Sequence, residues 1–278
     1  MNKYNEIMKR LKEHYDEALT LIPESQIIGV FLQGSQNYGL DVDSSDVDSK
    51  CIVIPSYEDI CFATKPVSTT YIRKNNEHID LKDMRLMFQT FRKQNMNFIE
   101  ILFTEYKFIN PMYEDEWNQL IKQNELIANY NPHKAVSTIK GIAGEKYHAL
   151  EHRYPSREEV INKFGGYDPK QLHHLIRVHD FLSRYIQGIP YSKCLKPEPE
   201  KAEYLKKIKE SGVEGGLEEA RRLAEKYFDE IREISDEFRK NCENKGNHEV
   251  DKLLNDIQKE IMKKYLKLEL KNDFISLL

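Results

Sequence analysis

Residues 27–48 constrain the fold more than any other stretch. The run Ile27-Ile28-Gly29-Val30-Phe31-Leu32 is apolar and β-branched, ends at Gly34-Ser35, and is followed by Ser45-Asp46-Val47-Asp48. An uninterrupted apolar run this short reads as a strand buried on both faces. Such a strand needs covering layers, so the surrounding chain has to supply a sheet and helices to sandwich it. Gly34 lets the backbone approach a ligand closely. A Gly-Ser turn leading into a helix would offer backbone N–H groups, a hydroxyl and a helix N-terminus to phosphate oxygens.

From Asp46 to Ile54 the pattern alternates, with Val47, Cys51 and Val53 on one side and Asp48, Lys50, Ile52 and Ile54 on the other, which predicts a second strand. Asp46 and Asp48 stand two apart on it, so their carboxylates share a face. Two carboxylates in one cleft repel each other unless a hard cation such as Mg²⁺ joins them.

The remaining elements follow from local signals. Ile7, Leu11, Tyr15, Ala18 and Leu19 mark a first helix that Pro23 stops. Ser68 to Arg73, the Asn75-Asn76 turn and Glu77 to Asp80 read as a hairpin, and Asp83 as the N-cap of a helix with Met84, Met87, Phe88 and Phe91 on its apolar face. From Pro132 onward helical periods dominate: residues 135–151, then 156–164 behind a Ser156-Arg157-Glu158-Glu159 capping box, a long helix from Asp168-Pro169 to Gly188, and charged helices over 217–241 and 250–268. Lys196 to Glu200 reads as a linker. The expected architecture is α/β (α+β), with a mixed-sheet domain over residues 1–125 and an all-helical domain over 126–278 that completes a cleft.

Charge and composition exclude some classes. A net charge of −4 gives no whole-molecule basic field, so a nucleic-acid partner would need a local patch. Cys51, Cys61, Cys194 and Cys242 are too scattered for a disulfide framework or a zinc site. No stretch approaches ~18 apolar residues and the N-terminus carries no signal core, so the expectation is a cytoplasmic protein without membrane contact.

The ordered set of strand, Gly34-Ser35, Tyr38-Gly39-Leu40 and Ser45-Asp46-Val47-Asp48 resembles the nucleotidyltransferase superfamily named after DNA polymerase beta, and within it the RNA-repair-pathway-associated polymerase-beta family. The segments Asp83 to Asn95 and Gly166-Tyr167-Asp168-Pro169-Lys170 through His173-His174-Leu175-Ile176-Arg177 fit the same family. The likeness runs from about Gly29 to Gly188, and the last ninety or so residues carry no recognisable motif.

That resemblance implies a polymerase-beta-like domain and transfer of a nucleoside monophosphate from a nucleoside triphosphate, ATP among them, to an acceptor hydroxyl. It also implies two Mg²⁺ ions, for which Mn²⁺ can substitute, held by Asp46, Asp48 and a third carboxylate. Asp80 is the choice for the third, since Asp83 is needed as a helix cap. Gly34, Ser35 and Tyr38 would bound the nucleotide. Lys170, His174 and Arg177, spaced four and three along one helix, would face the triphosphate as a row of donors, unless they form only a solvated face. His173 reads as structural or exposed, and Glu100 as a pin for the following helix.

The acceptor stays open. An RNA end is one candidate, with Lys252, Lys259, Lys263, Lys264, Lys267 and Lys271 as a basic segment that neighbouring acids partly cancel. The others are a protein or small-molecule hydroxyl, or a non-catalytic nucleotide-binding protein.

Overall fold

A computed structural model describes residues 2–43 and 45–276. Helix α1 (Lys3–Leu21) starts at Asn2, whose side chain accepts the Tyr4 amide, and ends two residues before Pro23. Strands β1 (Ile27–Gln33) and β2 (Asp48–Val53) follow, then the short helix α2 (Tyr57–Cys61), the hairpin β3 (Ser68–Ile72) and β4 (His78–Asp83), and helices α3 (Met84–Arg92) and α4 (Met96–Ile99). A short strand β5 (Lys107–Ile109) and helices α5 (Glu114–Lys122) and α6 (Asn124–Ala128) lead into the helical half. That half comprises α7 (Pro132–Ala149), α8 (Glu158–Lys163), α9 (Pro169–Tyr185), α10 (Tyr191–Leu195), α11 (Pro199–Ser211), α12 (Gly216–Asn241) and α13 (His248–Ser276).

The five strands form one mixed sheet in the order β3-β4-β2-β1-β5, in which only β2 and β4 run parallel. Together with the helices this makes the α+β class that the sequence predicts. Both faces of the central strands are covered, as the apolar run of β1 requires. Leu11 and Ala18 of α1 pack on Val30, Cys51, Val53, Ile79 and Leu81. The opposite face sends Ile28, Phe31 and Ile52 into the main core, where Phe31 stacks on Trp117 with ring centroids 4.2 Å apart. At Gly29 the neighbouring strand passes so close that a Cβ would sit 2.7 Å from the Phe108 carbonyl oxygen.

The main core runs from Ile28 in β1 to Tyr265 in α13. Helix α13 buries Val250, Leu254, Ile257, Ile261 and Tyr265 at helical spacing. Two ion pairs tie it back to the first half of the chain: Lys264 to Glu116 at 2.7 Å and Asp251 to Arg92 at 2.8 Å.

Three local expectations are corrected. The strand expected from Asp46 begins at Asp48, because the Val47 amide is taken by the Glu77 carboxylate at 3.3 Å and not by a neighbouring strand. The helix expected after Gly34-Ser35 is one 3₁₀ turn, Ser35 to Tyr38, entered through Gly34 at φ 92°. The Ser156 capping box does not form: Pro155 starts a 3₁₀ turn with Ser156 inside it, and Arg157 precedes α8 with no side-chain cap. Among the described residues no helix is long and apolar enough to cross a membrane.

Candidate active site

The carboxyl end of β1, the amino end of β2 and the helices α9 and α11 enclose a cleft with two lobes. The first, about 510 Å³, lies between Gly34, Ser35, Ser45, Asp46 and Asp48 on one wall and Lys170 and Lys209 on the other. The second, about 430 Å³, continues past Asp48 to Lys50, Asp80, Glu100 and Arg177. Gln33, Gly34, Ser35, Asp48, His173 and His174 border both.

Asp46 and Asp48 open onto the first lobe, Asp46 exposed and Asp48 half-buried. Burial raises the Asp48 pKa above the ordinary carboxylate value and the nearby Asp46 charge adds to it, while the His78 amide, His78 imidazole and Lys170 oppose. The His78 N–H donates to Asp48 Oδ1 at 2.9 Å. Beneath the pair lies Glu77, 1% exposed, whose carboxylate accepts from Val47 N, Arg73, Asn75 and Arg10 and contacts His14 Nε2 at 3.0 Å. The turn of the β3–β4 hairpin therefore holds Asp46-Val47-Asp48 through one side chain and one backbone amide.

Asp80 stands elsewhere on the sheet. It is registered opposite Lys50, and its carboxylate accepts from Thr70 Oγ1 at 2.5 Å and Gln33 Nε2 at 3.2 Å. It meets Asp48 only in the second lobe. Asp83, the alternative third carboxylate, is buried, caps α3 and forms an ion pair with Arg85 at 2.7 Å, so it is spent on structure. Among the described residues no group of three or more His, Cys, Asp or Glu side chains is assembled for a metal ion. Of the expected trio, Asp46 and Asp48 border the first lobe, and Asp80 joins Asp48 in the second.

No family model matches the chain, and no curated protein sequence matches it. Solved structures do resemble it. One, a nucleotidyltransferase-like protein from Exiguobacterium sibiricum 255-15, aligns over 83% of this chain and 75% of its own at 14% identity and a TM-score of 0.31.

The expected row of donors on α9 divides between the lobes. Lys170 is exposed and borders the first lobe, Arg177 is buried and borders the second, and His174 borders both. Burial holds the His174 pKa well below its ordinary value, and His173, Arg177, Lys170 and Lys146 push it the same way, so its ring is neutral. Tyr38 lies under Arg177, with the guanidinium 4.3 Å from the ring centroid, and so supports a cation at its ring face.

Several cleft residues carry no role in the sequence reading. Lys209 of α11 reaches across to Ser45 Oγ at 2.9 Å and Ser35 Oγ at 3.5 Å. Burial and the Lys170 charge lower its pKa, with Asp41, Asp46 and Glu210 opposing. Lys50 is 4% exposed, donates to Gln33 Oε1 and sits 4.8 Å over the Phe98 ring; burial brings its pKa down to about 8. His173, read as structural or exposed, also borders both lobes, and its Nδ1 bonds the Leu205 carbonyl at 2.8 Å. In the lysine-rich C-terminal segment, Lys263 pairs with Glu260 at 2.6 Å and Lys264 with Glu116.

Proposed function

We propose that this protein transfers a nucleoside monophosphate from a nucleoside triphosphate to an acceptor hydroxyl, with a divalent cation held at Asp46 and Asp48. One observation carries the reading: two neighbouring carboxylates beside Ser35 face Lys170 and Lys209 across the first lobe, pairing a cation site with a polyphosphate site in one cavity. The donor set fits the metal. Hard divalent ions take carboxylate oxygens, and an ionised Asp48 made costly by burial and by Asp46 gains from a cation beside it. Mg²⁺ or Mn²⁺ meets that requirement.

When bound, the cation supplies charge neutralisation at the phosphates and at the attacking oxygen. The chain's own groups do the rest. Gly34 gives its turn a backbone conformation that a side chain would strain, which keeps Ser35 at the mouth of the first lobe. Lys170 and Lys209 neutralise the terminal phosphates, and Asp80, in the second lobe, takes the proton from the acceptor hydroxyl. Replacing Lys209 with Met should weaken binding of a non-hydrolysable ATP analogue about tenfold, roughly 1.4 kcal/mol. Unchanged affinity in a calorimetric titration would remove Lys209 from the polyphosphate site.

The test of the reading is incubation with each α-³²P-labelled nucleoside triphosphate, Mg²⁺ and mixed acceptors including RNA, following label transfer and pyrophosphate release. Label on RNA identifies a terminal nucleotidyltransferase. Label on protein or on a small molecule shifts the acceptor class, and nucleotide binding with no transfer to any acceptor rejects transfer.

A further inference from the structure

Arg177 is 6% exposed, yet its Nε and Nη1 have no hydrogen-bond partner among the described residues. Buried donors are nearly always paired, and a buried guanidinium without partners is costly unless an anion joins it. The carboxylate that could play that part is Glu100, 4% exposed, whose Oε2 is equally unpartnered. Burial pushes Glu100 up to about 8, against the pull of Arg177 and the Gly34 amide, which weakens it as a counter-ion for Arg177. The Tyr38 ring lies against the guanidinium, its centroid 4.3 Å from the central carbon.

Arg177 borders the second lobe and not the first, together with Lys50, Lys82 and Lys146. Lys82 is tied to Ser68 Oγ at 2.8 Å and Lys146 to Glu145 at 2.7 Å, both at the surface. Arg177, Lys50, Lys82 and Lys146 border that lobe with Asp48 and Asp80, and Asp80 is already bonded to Thr70 and Gln33. The surplus is positive, and it lies next to the carboxylate pair and away from Lys170 and Lys209.

We propose that the second lobe receives the acceptor, and that the acceptor is a phosphate ester whose phosphate is bound by Arg177 and Lys146 while its hydroxyl lies toward Asp48 and Asp80. This rests on the nucleotidyl-transfer reading above. Free donors along more than one edge of the guanidinium, with a lysine beside them, suit a group with several anionic oxygens. In the reaction the acceptor oxygen bonds to the α-phosphorus as the bond to the bridging oxygen breaks. Pyrophosphate leaves with that electron pair, and the hydroxyl proton passes to Asp80. A free sugar phosphate and the end of a nucleic-acid chain present the same chemistry.

The experiment loads the full-length protein with a non-hydrolysable ATP analogue and Mg²⁺. It then measures binding of two probe pairs by calorimetry: ribose 5-phosphate against ribose, and a ribotrinucleotide with a free 3′-hydroxyl against its uncharged methylphosphonate counterpart. The charged member of at least one pair should bind at least tenfold more tightly. Lys146→Met, at a partly exposed position, and Arg177→Lys should each erase most of that difference and leave affinity for the ATP analogue unchanged. A preference within the first pair points to a free sugar phosphate, and one confined to the second to a nucleic-acid end. Equal or absent binding within both pairs overturns the proposal, as does a loss of ATP-analogue affinity in the variants, which would move Arg177 to the triphosphate. Charge-dependent binding without label transfer keeps the phosphate site and removes only the transfer reading.

Discussion

The double substitution Asp46→Ala with Asp48→Ala should lower metal-dependent nucleotidyl transfer by at least three orders of magnitude, on the order of 4 kcal/mol in the barrier. The fold should survive, because neither carboxylate holds it together. Asp46 is exposed in a loop, and Asp48 accepts one backbone amide, from His78. The direction of the Asp48 shift also matters. Its folded pKa lies above the ordinary value, so its ionisation opposes folding once the pH has risen through the folded pKa, and removing it relieves that opposition. Thermal denaturation with and without Mg²⁺ separates the two effects. The wild-type midpoint should rise with Mg²⁺, whereas the double variant should start at or slightly above the metal-free wild type and not respond. A double variant that kept its metal-stimulated rate would place the cation elsewhere.

What the sequence made legible was local. The buried β1, the β3–β4 hairpin with Asn76 at φ 65°, and Asp83 as the cap of α3 each follow from residues within a few positions of the feature. The start of β2 was not local. Whether Asp46 joins the strand depends on Glu77, about thirty residues later, accepting the Val47 amide. Helix α11 was hidden for another reason: Lys196 to Glu200 has the composition of a linker, yet Pro199 occupies the first turn of that helix. Proline followed by Ala202, Leu205 and Ile208 at helical spacing was the signal available, and it would have led to Lys209.

Burial was the other hidden variable. Lys170, His174 and Arg177 share a helix face by spacing, but spacing does not reveal that the cleft divides along that face. Nor does it reveal that Arg177 rests on Tyr38 and beside Glu100. Helix α13, without a motif, is tied to α5 through Lys264 and Glu116, a contact between segments far apart in the chain.

Glu77→Ala should be the most destabilising single change near the site, costing about 3–5 kcal/mol, since it removes the buried carboxylate that Arg73, Arg10 and the buried His14 share. It should also lower the turnover number, because the Val47 amide between Asp46 and Asp48 loses its acceptor. Glu77→Gln tells the two roles apart. An amide oxygen still accepts from Val47, so Gln should restore much of the activity while recovering only part of the stability. Urea unfolding and turnover measured on both variants read this directly, and equal activity in Ala and Gln would reject the positioning role. The same network predicts a pH dependence. Burial, then Arg73 and Arg10, lowers the His14 pKa from 6.5 to about 4 against the pull of Glu17. A depressed folded pKa means that stability is fully present above 6.5 and is lost as the pH falls toward about 4. In His14→Asn, whose side chain does not titrate in that range, unfolding free energy should fall less steeply between those limits, and a slope identical to wild type would show that His14 does not carry the acid sensitivity.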